Sequence, residues 1–409
     1  MKNIKVALFT VGYRYPGSVN EPIVAGSLNG PYYLSKSLKD NGVNVHVFSY
    51  GNKNDKNVSY LNKIKIHRYK KSKLKSIFKF LIEDYRCYKV FKNAYKTEKF
   101  NIIQTQDALL FITLFSKIKK IPIIFTDHGS PKNCLEDIPK KGRWIKKITT
   151  KLYNQPLYNF IVKKANVVLL ISKELYNNSE EELGISIPKT KMKLIHNGVD
   201  SNHFRPLNIN NIRNKITNNK NIIIYVGRIS REKGIHLILD AMPDIIKKYP
   251  KTTLLIIGSP VSQHKNYTET LKNIINKNGL ENHVNFYIDV PEIKLPKYYS
   301  LGDIQIVPSV GYDPMPNVLF EGMSCGLPII STDFKCRHEI INKNTGFFFK
   351  ENNVDGLKKC ILNGFANKKK LKIMGENARK NMIKNYDIGI TVKKYIKIYK
   401  SCIEGNMYG

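Results

Sequence analysis

Short β-branched segments alternate regularly with amphipathic stretches of helical length along this chain. In the first half, strand-like segments lie at residues 5–10, 43–48, 63–67, 101–104, 122–126, 167–171 and 192–195. In the second half they lie at residues 221–226, 253–257, 284–287, 303–307 and 328–331. Strands that alternate with helices are typical of parallel sheets with helices on both faces. The sequence therefore predicts an α/β protein with doubly wound sheets.

The length of the chain predicts two domains. Its 409 residues exceed the size at which a single core usually stops growing, so two domains of about 200 residues each are expected. Residues 197–221, between the two runs of strand-like segments, are rich in glycine, proline and asparagine, as is usual for an interdomain connection. We therefore predict a first domain over residues 1–200 and a second over residues 201–385.

The net charge of +36 indicates an anionic partner or a heavily solvated surface. The first half is the more basic, and residues 61–100 interleave lysine and arginine with aromatic residues. Anionic lipid head groups and nucleic acid phosphates would both be attracted to such a surface. A solvated lysine face is the alternative. No nucleic-acid-binding motif is present, so an anionic membrane surface is the predicted partner and nucleic acid is not.

The cysteines and the apolar segments predict a cytoplasmic protein. The 6 cysteines are scattered without a C-x-x-C pair, which argues against a zinc site and a disulfide framework and fits a reducing compartment. The N-terminal apolar segment is too short for a signal peptide, and the longest apolar run, residues 108–115, is far shorter than the roughly 20 residues of a membrane-spanning helix. Any membrane contact is therefore expected to be peripheral, on the inner face.

Residues that follow strands are the candidates for ligand binding, because ligands of open α/β sheets bind outside the carboxyl ends of the strands. After the first strand-like segment, Gly26 would let a phosphate approach backbone N–H groups near a helix N-terminus, although a plain turn is the alternative. After segment 122–126, His128 could donate a hydrogen bond to a sugar hydroxyl, although a loop histidine bonded to its neighbours is the alternative. Neither G-x-G-x-x-G nor G-x-x-x-x-G-K-[ST] occurs, which disfavours dinucleotide oxidoreductases and P-loop NTPases.

The decisive passage is residues 226–234, directly after the first strand-like segment of the second half. It places Arg228 and Lys233 between glycines in a loop that precedes a helix. A guanidinium fork and an ammonium can together neutralise a diphosphate, which as a leaving group needs its charge stabilised while the bond breaks. The Asp-x-Asp carboxylate pair that often holds a metal on a sugar nucleotide does not occur. The sequence therefore predicts diphosphate binding with no metal and no cofactor.

Two carboxylates follow the segment 303–307. Asp313 is predicted to lie in a loop at the start of a helix that begins near residue 316 or 317, and Glu321 in the second turn of that helix. Carboxylate oxygens accept hydrogen bonds from ribose or hexose hydroxyls. The alternative is one capping carboxylate and one solvent-exposed helix glutamate.

In this order and spacing the motifs resemble the family 4 retaining glycosyltransferases. The likeness spans nearly the whole chain and rests on these segments: Ala25 and Gly26, residues 197–206, 226–234, 295–309 and 313–328, Glu339 with the two residues after it, and residues 345–346. The resemblance implies the GT-B fold, in which two Rossmann-like domains face a central cleft. It also implies that the helix within residues 386–409 crosses back to the first domain.

The resemblance implies a role for each candidate residue. Arg228 and Lys233 would bind the donor diphosphate, Glu321 the ribose, and Asp313 and His128 the donor sugar. Gly26 would approach a phosphate. The anomeric configuration would be retained without a protein nucleophile. The reaction would occur on the front face of the sugar, where the departing diphosphate itself helps to deprotonate the incoming acceptor hydroxyl. Separately from the resemblance, the loop over residues 288–291 is predicted to contact the base through backbone groups of Ile288 and Val290.

The sequence departs from the family pattern in three places. Asp313 stands where the family usually has glutamate, which is one methylene longer. The glycine pair of the first loop is reduced to Ala25 and Gly26, and the glycine pair before Glu339 is replaced by residues 335–338, Lys-Cys-Arg-His. These departures concern the donor-sugar contact, the phosphate approach at the first loop and the loop before Glu339.

The predicted enzyme is a metal-independent transferase of hexosyltransferase type. It would move a sugar from a UDP- or GDP-sugar to a hydroxyl of a lipid-linked or cell-surface glycan precursor, forming an α-glycosidic bond. One alternative is a sugar-nucleotide epimerase of similar fold, which would release epimerised nucleotide without an acceptor. Another is a non-catalytic protein that binds sugar nucleotides or a membrane surface and would release no nucleoside diphosphate.

Overall fold

A computed structural model describes residues 3–10, 29–51, 55–72, 78–107, 109–127, 155–209, 220–260, 265–311, 313 and 315–405. The described residues fall into two compact units. The first contains the described residues up to 197 together with those from 389 onward, and the second contains residues 198–388. Each unit is built around one sheet.

The sheet of the first unit has eight strands in the order β3-β4-β2-β1-β5-β6-β7-β8. Their bounds are β1 Lys5–Phe9, β2 Asn44–Gly51, β3 Val58–Leu61, β4 Ile64–Lys70, β5 Ile102–Thr105, β6 Ile123–Asp127, β7 Val167–Leu170 and β8 Met192–Leu194. All neighbouring pairs are parallel except β3 with β4, which is antiparallel. The sequence did not predict β3, an edge strand whose Tyr60 is 61% exposed.

Helices connect these parallel strands, as a parallel sheet requires. They are α1 Asn29–Asp40, α2 Phe78–Glu98, α3 Leu110–Lys119, α4 Gln155–Lys164, α5 Lys173–Asn177 and α6 Ser179–Leu183. The strands β5 and β7 are buried along their whole length. Burial on both faces explains why β7 is a run of apolar residues without alternation, while β5 also buries the polar side chains of Gln104 and Thr105.

The sheet of the second unit has six parallel strands in the order β11-β10-β9-β12-β13-β14. Their bounds are β9 Asn221–Val226, β10 Thr252–Gly258, β11 Val284–Ile288, β12 Ile304–Val307, β13 Ile329–Thr332 and β14 Gly346–Phe349. The first strand of this unit, β9, pairs with β10 on one side and β12 on the other. Successive strands are therefore added on one side of β9 up to β11 and on its other side from β12 onward. Ligands of such sheets bind at this switch point between β9 and β12.

Six α-helices of the described chain cover the second sheet: α7 Ile235–Lys248, α8 Lys265–Lys277, α9 Leu295–Leu301, α10 Asn317–Ser324, α11 Val354–Ala366 and α12 Lys368–Asn381. One core joins α7, α8 and α11 to the strands, with Ile238, Leu271 and Ile361 wholly buried. Helix α10 packs closely on β12, because a Cβ at Gly322 would lie 1.6 Å from Gln305 Oε1. This close packing sets the position of the carboxylate that precedes Gly322.

The last helix, α13, spans Ile388–Glu404 and belongs to the first unit from residue 389 onward. Its Tyr395 and Tyr399 are buried, and the Tyr399 hydroxyl donates to Gln104 Oε1 of β5 over 3.5 Å. Along the described ranges, no helix has both the length and the apolarity needed to span a membrane.

Candidate functional site

The loop after β9 contacts the loop after β12 at the switch point of the second sheet. Gly234 has a φ of +69°, and a Cβ there would lie 1.9 Å from the carbonyl oxygen of Pro308. Only glycine permits this approach and this backbone conformation. The backbone N–H of Val310 also donates to the carbonyl of Glu232 over 2.8 Å. The neighbouring Lys233 is therefore held against the segment that contains Asp313.

Asp313 and Lys233, predicted separately from the sequence, are in direct contact. Lys233 Nζ lies 2.7 Å from Asp313 Oδ2. Ser309 Oγ donates to the same oxygen over 2.7 Å, and Arg337 Nη2 lies 3.6 Å from it. The Asp313 side chain is 22% exposed, so this carboxylate is enclosed on most sides and open on one.

The two cations decide the protonation state of Asp313. Burial raises the pKa of its carboxyl group. The charges of Lys233 and Arg337, with hydrogen bonds from Lys233 and Ser309, lower the pKa by a larger amount, so that it is about 2. An opposite charge at such a distance favours the ionised form. Asp313 is therefore a carboxylate throughout the physiological pH range and acts as a hydrogen-bond acceptor.

Arg337 is a member of the site that the sequence did not predict. Its side chain is wholly buried, and Nη1 donates to the carbonyl of Val307 (3.1 Å) and to Ser331 Oγ (2.9 Å). Nη2 donates to Ser309 Oγ (3.0 Å) and to the backbone carbonyl of Asp313 (2.7 Å). The signal for it in the sequence was its position just after β13, at the same sheet edge as Lys233.

Arg228 lies at the same edge and is accessible. Its side chain is 42% exposed and forms an ion pair with Glu232, Nη2 to Oε1, at 3.3 Å. The hydroxyl of Tyr225 donates to the Arg228 carbonyl over 2.6 Å, which fixes the backbone of this residue directly after β9. An exposed guanidinium on a fixed backbone can form a bidentate contact with a phosphate.

Glu321 is buried in the second turn of α10, which begins at Asn317 as predicted. It is 5% exposed, so the alternative of a solvent-exposed glutamate is wrong. The hydroxyl of Tyr299, a wholly buried residue of α9, donates to Glu321 Oε2 over 2.8 Å. Tyr299 was also missed from the sequence. It fixes the carboxylate of Glu321 in one orientation.

The remaining predicted residues are not brought into this cluster by any contact in the described residues. Ile288 is the last residue of β11, two strands away from β9 in the sheet, and is 43% exposed. Val290 follows it, after Asp289 in the left-handed region with φ +55°. Gly26 and His128 lie outside the described residues.

Among the described residues, no group of three or more His, Cys, Asp or Glu side chains is placed to hold a metal ion. The charged groups at the sheet edge include the at least partly accessible cations Arg228 and Lys233, the buried Arg337 and the ionised carboxylate of Asp313. Such a set can bind a phosphate-bearing ligand that also carries hydroxyl groups.

Two family models match the chain, one over each half. The family described as Glycosyltransferase Family 4 matches residues 26–203, and Glycosyl transferases group 1 matches residues 208–381. The chain belongs to glycosyltransferase family 4. An uncharacterized glycosyltransferase from Methanocaldococcus jannaschii is 26% identical to this glycosyltransferase over 327 residues, 78% of its chain and 79% of the relative. Alignments with other curated relatives span from 41% to 91% of the relative's own length, and several span less than two thirds.

Solved structures share the fold of this glycosyltransferase. Sucrose-phosphate synthase from Thermosynechococcus elongatus has a TM-score of 0.82 at 20% identity, over 98% of this chain and 100% of that one. Anabaena HepE in complex with UDP-glucose has a TM-score of 0.74 at 17% identity, over 98% and 100%. The predicted fold class, GT-B with two Rossmann-like domains, is confirmed.

Proposed function

We propose that this glycosyltransferase transfers a hexose from a UDP- or GDP-sugar to a hydroxyl group, with retention of anomeric configuration. The observation that carries the donor half of the proposal is the cluster of Arg228, Lys233 and Asp313 at the switch point of the second sheet, with Glu321 on the neighbouring helix α10. The complex of Anabaena HepE, a structure of the same fold, contains UDP-glucose and supports a donor of this class.

The cations would stabilise the leaving group. Arg228 would bind the diphosphate through its exposed guanidinium, and Lys233 would add a mobile point charge from the adjacent turn. Negative charge develops on the diphosphate as the glycosidic bond breaks, and fixed cations that meet this charge lower the barrier. In this proposal the protein supplies the positive charge and no metal ion is required.

The carboxylates would orient the two sugars of the donor. Asp313, with a pKa of about 2, would accept hydrogen bonds from hydroxyls of the transferred sugar. Glu321, held by Tyr299, would accept from the ribose hydroxyls. Backbone groups at Ile288 and Val290 would contact the base. Gly26 and His128 keep the roles that the family resemblance implies, a phosphate approach and a contact with the donor sugar.

A thermal-shift panel of UDP-, GDP- and ADP-sugars tests the donor class. A ligand that binds only the folded state at about a hundred times its Kd adds about 2.7 kcal/mol, which for a unit of this size corresponds to a rise in Tm of about 5–10 °C. We expect this rise with UDP- or GDP-sugars. A rise with ADP-sugars alone would contradict the proposed base, and no rise with any sugar nucleotide would contradict the donor site.

A basic groove in the first unit supports a lipid-linked acceptor at an anionic membrane surface. The groove has a volume of about 1040 Å³ and lies between α2 and the β3–β4 edge of the sheet. Its described lining contains no acidic residue, and its basic lining residues are Lys65, Arg68, Lys70, Lys71, Arg86 and Lys89. Half-buried apolar residues of α2, Ile82 and Val90, also line it. This combination suits a phosphate head group joined to an apolar chain.

Flotation with anionic liposomes tests this part of the proposal. We expect the protein to float with the liposomes at low salt and to be released at high salt, because screening weakens exposed charge contacts. Removing Lys70 and Lys89 together should lower the partition coefficient by about tenfold or more, since each basic residue near the surface contributes about 1 kcal/mol. The matched control removes Lys272 and Lys277, two exposed lysines of α8. An equal loss in both double variants, or no flotation at low salt, would contradict the proposal.

A further inference from the structure

We propose that Arg337 is a positioning residue that keeps Asp313 ionised and in place when Lys233 moves to the donor diphosphate. The inference deepens the proposed function and rests on it, since it assumes that Lys233 binds the diphosphate and that Asp313 contacts the transferred sugar. Nothing in the family comparison assigns a role to Arg337, which stands in the segment where the family pattern has a glycine pair.

In the proposed donor complex, Lys233 is shared between two anions. In the structure its ammonium lies 2.7 Å from Asp313 Oδ2. A diphosphate carries more charge and more acceptor oxygens than one carboxylate, so it competes for the three donors of the ammonium. The lysine side chain is flexible enough to turn toward it. Donor binding therefore weakens the closest cationic contact of Asp313.

Arg337, unlike Lys233, cannot move toward the ligand. Its side chain is wholly buried, and its guanidinium donates to four different oxygen atoms, two of them backbone carbonyls. It also lies over the ring of Phe334 at 4.7 Å. A planar guanidinium held at this many points is fixed in one orientation. Arg337 therefore stays in contact with Asp313 whether or not a donor is bound.

Arg337 contacts Asp313 at both its backbone and its carboxylate. Its Nη2 bonds the backbone carbonyl of Asp313 at 2.7 Å and lies 3.6 Å from the carboxylate. Asp313 is one methylene shorter than the usual glutamate, so the place of its carboxylate depends more directly on the place of its backbone. By fixing the backbone and supplying a permanent positive charge, Arg337 sets where this short carboxylate meets the sugar.

The charged and titratable groups around the pair are few in the described residues. Lys233 of the turn Arg231–Lys233 and Arg337 of the turn Lys335–Glu339 face Asp313, and Tyr225 of β9 interacts with it electrostatically. Cys336 and Glu351 act on Arg337. Without Arg337, burial would raise the pKa of Asp313 in the donor complex, where Lys233 is engaged elsewhere. The acid limb of kcat reports the ionisation of groups in that complex.

The test is the pH profile of kcat for Arg337→Gln and Arg337→Lys. We expect Arg337→Gln to move the acid limb up by at least one pH unit, while its affinity for UDP or GDP alone changes by less than about threefold, because the phosphate contacts remain. Arg337→Lys keeps the positive charge, so the acid limb of its kcat profile should lie at the same pH as in the wild type, with a lower kcat. The matched control is Ser331→Ala, which removes one hydrogen bond of Arg337 and no charge, and should leave the limb unchanged.

An unchanged acid limb in a folded, active Arg337→Gln variant would overturn the role of Arg337 and leave the proposed function standing. A wild type that neither binds nor turns over any sugar nucleotide would instead overturn the proposed function. If Arg337→Gln does not fold, Arg337→Lys and Ser331→Ala carry the test. A raised limb in either of these variants, which both keep the positive charge, would contradict the proposal.

Discussion

Replacing Lys233 by methionine is expected to lower kcat for sugar transfer by about 10²–10³-fold, the usual effect of removing one preorganised group that stabilises charge in the transition state. Methionine keeps an unbranched side chain of comparable length and removes the ammonium. The Nζ atom lies 2.7 Å from Asp313, at the sheet edge where Arg228 also lies, and in the proposed function it binds the diphosphate held there. Asp313 keeps Arg337 as a partner in the variant, so the loss is expected in the reaction and not in folding.

The measurement for Lys233 is the rate at which nucleoside diphosphate is released in the presence of donor and acceptor. The matched control is Lys358→Met. Lys358 also contacts carboxylates, Asp244 at 2.8 Å and Asp355 at 2.7 Å, but these carboxylates are exposed on the surfaces of helices α7 and α11, where ion pairs contribute little. A fall below tenfold for Lys233→Met, or a similar fall in both variants, would contradict the proposed role of Lys233.

Replacing Glu321 by glutamine is expected to raise the donor KM by about 10–100-fold with a smaller change in kcat. A hydrogen bond to a charged group contributes about 1.5–3 kcal/mol, and each 1.4 kcal/mol corresponds to a factor of ten in affinity. The amide keeps the size of the carboxylate and can still accept a bond from Tyr299, which lies 2.8 Å from Oε2. The ribose contact is lost from the ground state and the transition state alike, so the effect falls on KM.

The measurement for Glu321 is the dependence of the initial rate on donor concentration. Tyr299→Phe serves as the comparison, because it removes only the bond that orients the carboxylate and should raise the KM less than Glu321→Gln does. An unchanged KM in Glu321→Gln would contradict ribose binding. A larger effect in Tyr299→Phe than in Glu321→Gln would show that the helix packing, and not the carboxylate, controls donor affinity.

The sheet edge could be predicted because it depends on local sequence. Buried parallel strands such as β7 and β9 contain continuous apolar runs, and the residues after them are fixed at the carboxyl edge by the connectivity of the fold. The sequence therefore predicts that Lys233 and Asp313 lie near one edge, and in the structure they are in contact. The start of α10 at Asn317 was marked by the two prolines before it.

Arg337 and β3 could not be predicted because their environments depend on distant residues. A cation between Cys336 and His338 is read as solvent-exposed, since arginine is rarely buried without partners. Its oxygen partners include Val307, Ser309 and Asp313, which lie 24 to 30 residues away in sequence. Strand β3 has an exposed Tyr60 and Val58, so it lacks the buried pattern by which strands are recognised, and its pairing with β4 defines it.

In the proposed function, the protein's own cations hold the donor diphosphate. Calorimetric titration of UDP and GDP into the wild type and Lys233→Met, in EDTA and in Mg²⁺, tests this role of the cations. We predict that one of the two nucleotides binds the wild type equally well in both conditions, and that Lys233→Met weakens this binding by about tenfold or more. Binding that requires Mg²⁺, or that is as tight in Lys233→Met as in the wild type, would contradict the claim.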